Sequence, residues 1–277
     1  MKRIALTSLV AAALAAAAPV LRAQFLPEEI AQRPAMEEFL RTARIVGFEP
    51  IGEGVTRPWR LTLEKDGVRR QAAWKNPQGY MGGFLEGWQY EIAAYRLDKL
   101  LGLNMVPPAV ARDFRSQPGA LVLWAENKYS LLKIMEEGIP IPEEARDHTE
   151  KMKYLTRAWD SLIANEDRTQ QNYLFTADWR VIVFDHSRAF RCKGEFATRL
   201  MFGLNGIDKG ADGAPFLFRK LPRWFVDRLK TLTFDGIRTA VGDTLTDREI
   251  KAILTRRDLL LREIDQMVAQ QGEGVLY

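Results

Sequence analysis

Between Thr149 and Asp185 the chain passes through three unlike segments with no spacer. First comes an amphipathic stretch, "MKYLTRAWDSLIA", with Met152, Leu155, Trp159 and Leu162 on one helical face. Eight polar residues follow, "NEDRTQQN", Asn165 to Asn172. Then comes an apolar hairpin, "YLFTADWRVIVFD", which ends on an acid. A helix that buries one face and a hairpin that buries most of itself must pack close together. The polar loop is therefore held at the junction of two buried elements, which is costly unless its groups are used.

The hairpin reading can be taken further. With reversal midway between Asp178 and Trp179, Asn172 is expected opposite Asp185, with Cβ atoms roughly 5 Å apart. An amide oxygen and a carboxylate at one hairpin end form a hard-oxygen pair suited to Mg²⁺ beside phosphates. Each is also an ordinary loop residue. Asp167, five residues before Asn172, is expected near the same end, where its carboxylate could take a proton from a hydroxyl.

Upstream, Trp59, Leu61 and Leu63 alternate with polar residues, the period of a half-buried strand. Asp66-Gly67 signals a two-residue turn, and "VRRQAAWK" is the return strand, ending at Lys75. The region is a β-meander whose first turn, "IGEGV", holds Gly52 and Gly54. Glycines there let backbone N–H groups approach an anion; a plain β-turn fits the same residues, and no third glycine follows at the expected spacing. "PQGYMGGF" reads as a loop. "LEGWQYEIAAYRLDKLLGL" reads as a helix ending near Gly102, and Glu91 is the one charge between Glu86 and Arg96. Flanked by Tyr90, Ile92 and Ala93, it needs a cation if buried, and Lys75 is the natural partner. A solvated Lys75 and a surface Glu91 are the plainer alternatives. Near the end, Thr246 and Glu249 form a capping-box pattern before a long helix to about Ala269.

These residues together carry a resemblance. "YEIAAYRLDKLLGLNMVPPAV" and "WDSLIANEDRTQQNYLF…VIVFDHSRAF" resemble the atypical protein kinase-like group. That group includes the secretory-pathway kinases of the four-jointed and Golgi casein kinase type, the HipA-type kinases and the phosphatidylinositol 3- and 4-kinases. The likeness spans roughly residues 45–190, and Glu91 to Pro107 is most similar to the secretory type. It implies an α+β fold in two lobes, a small β-rich N-lobe and a larger helical C-lobe, with ATP and Mg²⁺ or Mn²⁺ between them. It maps the ATP-phosphate contact to Lys75, its ion-pair partner to Glu91, the catalytic acid to Asp167 and the metal ligands to Asn172 and Asp185. Arg168 is expected to organise the loop or meet phosphate, a solvated arginine being the alternative, while Glu166, Gln170 and Gln171 are expected to be solvated. Thr169 stands where relatives often have His. His186-Ser187 stand where classical kinases have Phe-Gly, and His186 is expected to be a packed or loop residue, a ligand being the alternative.

Residues 1–23, with a basic start, an Ala-rich apolar run and Ala23, read as a signal peptide, an uncleaved anchor being the alternative. The expected order is then a polar lead-in over 24–43 with a short helix, "AMEEFLRTAR", an N-lobe over 44–136 and a C-lobe over 137–277. The protein is expected to be periplasmic or extracellular, with no membrane span once the leader is gone. Without the leader, which carries Lys2, Arg3 and Arg22 and no acid, formal charge falls from +4 to +1, so the basic pI is no argument for nucleic acid. Cys192 stands alone, so no internal disulfide forms. The activity these features imply is phosphoryl transfer from ATP to a hydroxyl of a protein, glycan or lipid. The alternatives are an exported pseudokinase-like binding module or an AMP transferase on the same fold.

Overall fold

In the computed structural model of the chain, residues 25–52 and 58–277 are described; the leader and Gly54 lie outside them. Two short helices come first, α1 (Pro27–Ala31) and α2 (Arg33–Thr42). The meander follows as β1 (Arg44–Pro50), β2 (Trp59–Lys65) and β3 (Val68–Lys75), all antiparallel. Asp66 and Gly67 both take positive φ, 50° and 76°, so Lys65 pairs directly with Val68. This is the primed turn whose twist matches the strands.

The stretch expected as a loop is a second hairpin, β4 (Gln78–Met81) and β5 (Phe84–Gly87). Gly82 and Gly83 both have positive φ and make its two-residue turn. Met81-Gly-Gly-Phe84 was a hairpin signal in the sequence. Helix α3 (Gln89–Leu101) ends on Gly102 in the left-handed conformation, as its composition predicts. Strands β6 (Ala109–Ala111) and β7 (Ala120–Leu123) complete a five-stranded sheet of order β1-β2-β3-β7-β6.

Period-2 alternation gives this sheet two apolar faces. Leu61, Leu63, Ala72, Trp74 and Leu121 pack with Leu40 and Ala43, so α2, the short helix expected in the lead-in, covers one side. Ala120 and Val122 belong to the other, larger core, with α3 and the C-terminal helices. Lys75 follows Trp74 and so points to that second side. Gly119 lies against the same strand end: a Cβ there would meet the Lys75 carbonyl oxygen at 2.7 Å.

Next come β8 (Tyr129–Ser130), α4 (Leu131–Glu137) and α5 (Glu143–Ile163). Helix α5 starts one and a half turns before the expected Thr149, because Pro142 sets its start and Glu143 and Glu144 suit its first turn. Strands β9 (Tyr173–Phe175) and β10 (Val181–Val183) pair with each other, and β8 joins through β9. Helices α6 (Arg223–Thr231), α7 (Phe234–Val241) and α8 (Asp247–Gln271) close the larger core. The Thr246–Glu249 capping box forms reciprocally, at 2.7 and 3.3 Å. Among the described residues no helix is long and apolar enough to cross a membrane.

One buried acid in α3 makes stability depend on pH. Asp98 is fully buried; its Oδ1 accepts the backbone N–H groups of Met105 and Val106 at 2.8 and 3.3 Å. Oδ2 lies 3.6 Å from Arg33. Burial outweighs these contacts and pushes the carboxyl up to about 7. An unfolded Asp loses its proton near pH ~4. Between those values the folded chain holds the extra proton, so stability should fall as pH rises, by up to about 1.4 kcal/mol per unit. Urea denaturation across this range should show a shallower fall in Asp98→Asn than in the wild type; parallel profiles would contradict it.

Candidate active site

Lys75 leaves the end of β3 on the face that meets α3. Its Nζ donates to Glu91 Oε1 at 3.0 Å and to Asp185 Oδ1 at 2.9 Å. Lys75 is 5% exposed and Glu91 2%, while the Asp185 side chain keeps 31% of its surface open. One cation thus joins a buried acid of α3 to a half-open acid after β10. Burial alone would lower the Lys75 pKa, but the two carboxylates outweigh it and hold the ammonium charged. Burial also pushes Asp185 up, and Lys75 more than reverses this, leaving it below its usual range. Burial raises Glu91, with Lys75 opposing.

The expected pairing of Asn172 with Asp185 is corrected by one residue. Val183 pairs with Tyr173, and Phe184 N donates to Asn172 O at 3.3 Å. Asn172 therefore sits opposite Phe184. The loop has three residues, Ala177 to Trp179, closed by the Thr176 N to Arg180 O bond, with Trp179 at φ 62°. An odd loop displaces the register by one position. Asp185 takes φ 59°, the left-handed region, which turns the chain just past the strand. Such a conformation is costly for a non-glycine residue and is concentrated at functional sites.

The polar loop is organised from inside by Arg168. Its Nε and Nη2 form a fork on Asp160, at 3.0 and 2.9 Å, and Asp160 is fully buried. Nη1 donates to the carbonyls of Asn172 and Phe184 at 3.1 and 2.7 Å. One guanidinium thus ties the loop to the hairpin ends that carry Asn172 and Asp185. His186 is fully buried, and its Nε2 accepts from Arg168 and from the Trp159 indole at 2.9 and 3.4 Å. Burial, then Arg168 and Lys75, push its pKa well down, so it is a neutral packed residue. Asn172 Nδ2 donates to the Asp167 carbonyl at 3.2 Å, which leaves its amide oxygen as the group able to take a cation.

Asp167 is only partly exposed, and burial pushes its carboxyl above the usual range against the pull of Arg188. Arg188 Nη1 lies 3.3 Å from Asp167 Oδ2, while its Nε and Nη2 hold Glu86 at 3.0 Å. Ser187 Oγ also donates to Glu86, at 3.1 Å. The β4–β5 hairpin is therefore bolted to the segment after Asp185. Sequence reasoning missed Asp160, Glu86 and Arg188. The available signals were an acid beside Trp159 on an apolar helix and a lone acid just before α3. Glu166 is not solvated as expected: it pairs with Arg191 at 3.1 Å and is 13% exposed. Gln170, Gln171 and Thr169 are exposed. Gly52 stands in the β1–β2 connection with open space where a Cβ would be. Gly54 lies outside the described residues.

The backbone of the chain is similar to those of solved kinases. The structure of hydra Fam20 with sugar aligns with a TM-score of 0.59 at 16% identity, covering 93% of this chain and 95% of that one. The Golgi casein kinase with Mn/ADP bound aligns with a TM-score of 0.59 at 14% identity, covering 89% and 78%. The Helicobacter pylori proinflammatory kinase CtkA aligns with a TM-score of 0.54 at 12% identity, covering 85% and 97%. The fold is that of the atypical protein kinase-like group. No protein-family model matches the chain, and no curated protein matches it. The likeness thus rests on backbone architecture, an α+β arrangement of a small antiparallel sheet unit and a larger helical one.

Proposed function

We propose that the chain is an exported, ATP- and divalent-metal-dependent phosphotransferase acting on a hydroxyl of a protein, glycan or lipid. The observation that carries this reading is the bridge from Lys75 to both Glu91 and Asp185. Two carboxylates around one ammonium leave a negative excess, and Asp185 presents it at a half-open edge. A cation that neutralises phosphate would offset that excess.

The residues fit such a cation. Among the described residues no cluster of three or more His, Cys, Asp or Glu could hold a metal. Asp185 and Asn172 offer one carboxylate and one amide oxygen, a hard donor set. The remaining positions would fall to phosphate and water, as Mg²⁺ and Mn²⁺ accept. When bound, the ion supplies charge neutralisation on phosphate oxygens. Lys75 would contact the same phosphates, and Glu91 would hold Lys75 in place. The turn expected from Gly52 and Gly54 in the sequence would approach them. Asp167, raised in basicity by burial, would orient the acceptor hydroxyl and take its proton. Arg168 is a positioning residue. Export rests on the signal-type leader.

The test is thermal melting with and without millimolar ATP and Mg²⁺ or Mn²⁺. A rise in Tm that needs both is expected, since a ligand that binds only the folded state stabilises it. No shift would exclude an ATP-using protein. Transfer of label from γ-labelled ATP to protein, glycan or lipid fractions is then expected; transfer from α-labelled ATP would reassign the chain as an AMP transferase, and a shift without transfer as a binding module.

A further inference from the structure

Lys75 is the last residue of β3, so the sheet face that carries it continues in one direction only, back toward Ala73. Ala73 lies two residues up the strand, roughly 7 Å away, and alternation puts it on the same face. In the strand register Arg60 of β2, Ala73 of β3 and Val122 of β7 form one row across that face. Val122 is buried and Ala73 half-buried. The smallest side chain of the row thus stands between a long one and a branched one, which leaves a shallow apolar hollow next to Lys75.

Arg60 borders this hollow in a fixed pose. Its guanidinium lies 4.5 Å from the centre of the Trp124 indole. Trp124 sits beside Gln71, whose carbonyl accepts from its backbone N–H at 3.0 Å. The Arg60 side chain therefore crosses over β3 on the Gln71 side of Ala73. Glu49, its cross-strand neighbour on β1, lies 3.3 Å from Nη1. With Glu49 62% exposed and the Arg60 side chain 35%, that ion pair is a surface one and contributes little. The indole is the main brace. A guanidinium stacked on one ring keeps a second planar face and spare N–H groups, which suit another flat, polar-edged π-system. A nucleotide base is such a system.

We propose that Arg60, braced on Trp124, is the specificity-determining residue of the nucleotide site, with a purine base lying in the Ala73 hollow against the guanidinium. The inference rests on the phosphotransferase reading, which puts the phosphates at Lys75 and Asp185, and adds the residue that selects the base. A pyrimidine offers less face to stack, and inorganic tripolyphosphate offers none.

The test is isothermal titration of the full chain with the magnesium complexes of ATP, CTP and inorganic tripolyphosphate. ATP should bind most tightly and tripolyphosphate least, about tenfold or more apart, the scale of one base stacked on a side chain. Arg60→Lys keeps the charge and removes the plane. It should weaken ATP about tenfold and leave tripolyphosphate within about twofold. Trp124→Leu removes the brace and should give the same base-dependent loss. ATP bound no more tightly than tripolyphosphate, equal losses of the two in Arg60→Lys, or ATP affinity unmoved by both variants would overturn the proposal and leave the phosphate site standing. Binding of none of the three would overturn it together with the phosphotransferase reading.

Discussion

Arg168→Met should cost about 3–5 kcal/mol of folding stability, the usual effect of removing one partner from a buried ion pair. Asp160 is fully buried and Arg168 has a 9% exposed side chain, so the pair has little solvent to fall back on. Without the fork, Asp160 keeps one side-chain donor from this loop, Asn165 Nδ2 at 3.0 Å. The carbonyls of Asn172 and Phe184 lose their shared donor as well. Arg168→Lys should recover little, because an ammonium cannot span the fork and two carbonyls together. Adding Asp160→Asn to Arg168→Met should restore part of the loss by removing the stranded charge. Urea midpoints measure all three. A loss below about 1 kcal/mol would mean that the pair behaves as a surface one.

If the chain is the phosphotransferase proposed above, Asp185→Asn should lower its metal-dependent phosphoryl transfer by on the order of 10²–10³-fold, the scale of losing one preorganised electrostatic group. Asparagine is the informative choice for a backbone reason. Asp185 has φ 59°, a region that Asn tolerates and most residues do not. Its amide oxygen can also still accept from Lys75, which donates to Asp185 Oδ1 at 2.9 Å. The substitution therefore removes the charge and little else. The Mn²⁺-dependent part of the ATP-induced Tm rise should vanish with the activity, while the Tm of the free protein stays close to wild type. Activity retained within a few-fold would remove Asp185 from the metal site.

The local elements of this chain were largely legible. The Asp66-Gly67 turn, the α3 stop at Gly102 and the Thr246–Glu249 box each depend on a few adjacent residues, and each forms as read. The Lys75–Glu91 pair was also legible, because an acid among apolar neighbours on a helix demands a cation. The errors share a cause. The β9–β10 register was missed by one residue because Trp179, not a glycine, takes the left-handed turn position. The β4–β5 hairpin was missed because its strands are short and partly exposed, so alternation gives little signal. Glu166 looked solvated because its partner, Arg191, lies 25 residues on.

What the sequence by itself determined is a set of elements and a short roster of acids, amides and one lysine whose burial would need explaining. Periodicity, turn chemistry and desolvation cost act over a few residues, so they can be read from order alone. Which groups share those charges was decided only in three dimensions. Lys75 meets Asp185 across 110 positions, Arg168 draws the ends of two strands together from the loop between α5 and β9, and Arg188 joins Asp167 to Glu86. A buried charge constrains only that a partner exists; the packing of sheet against helices decides which one it is.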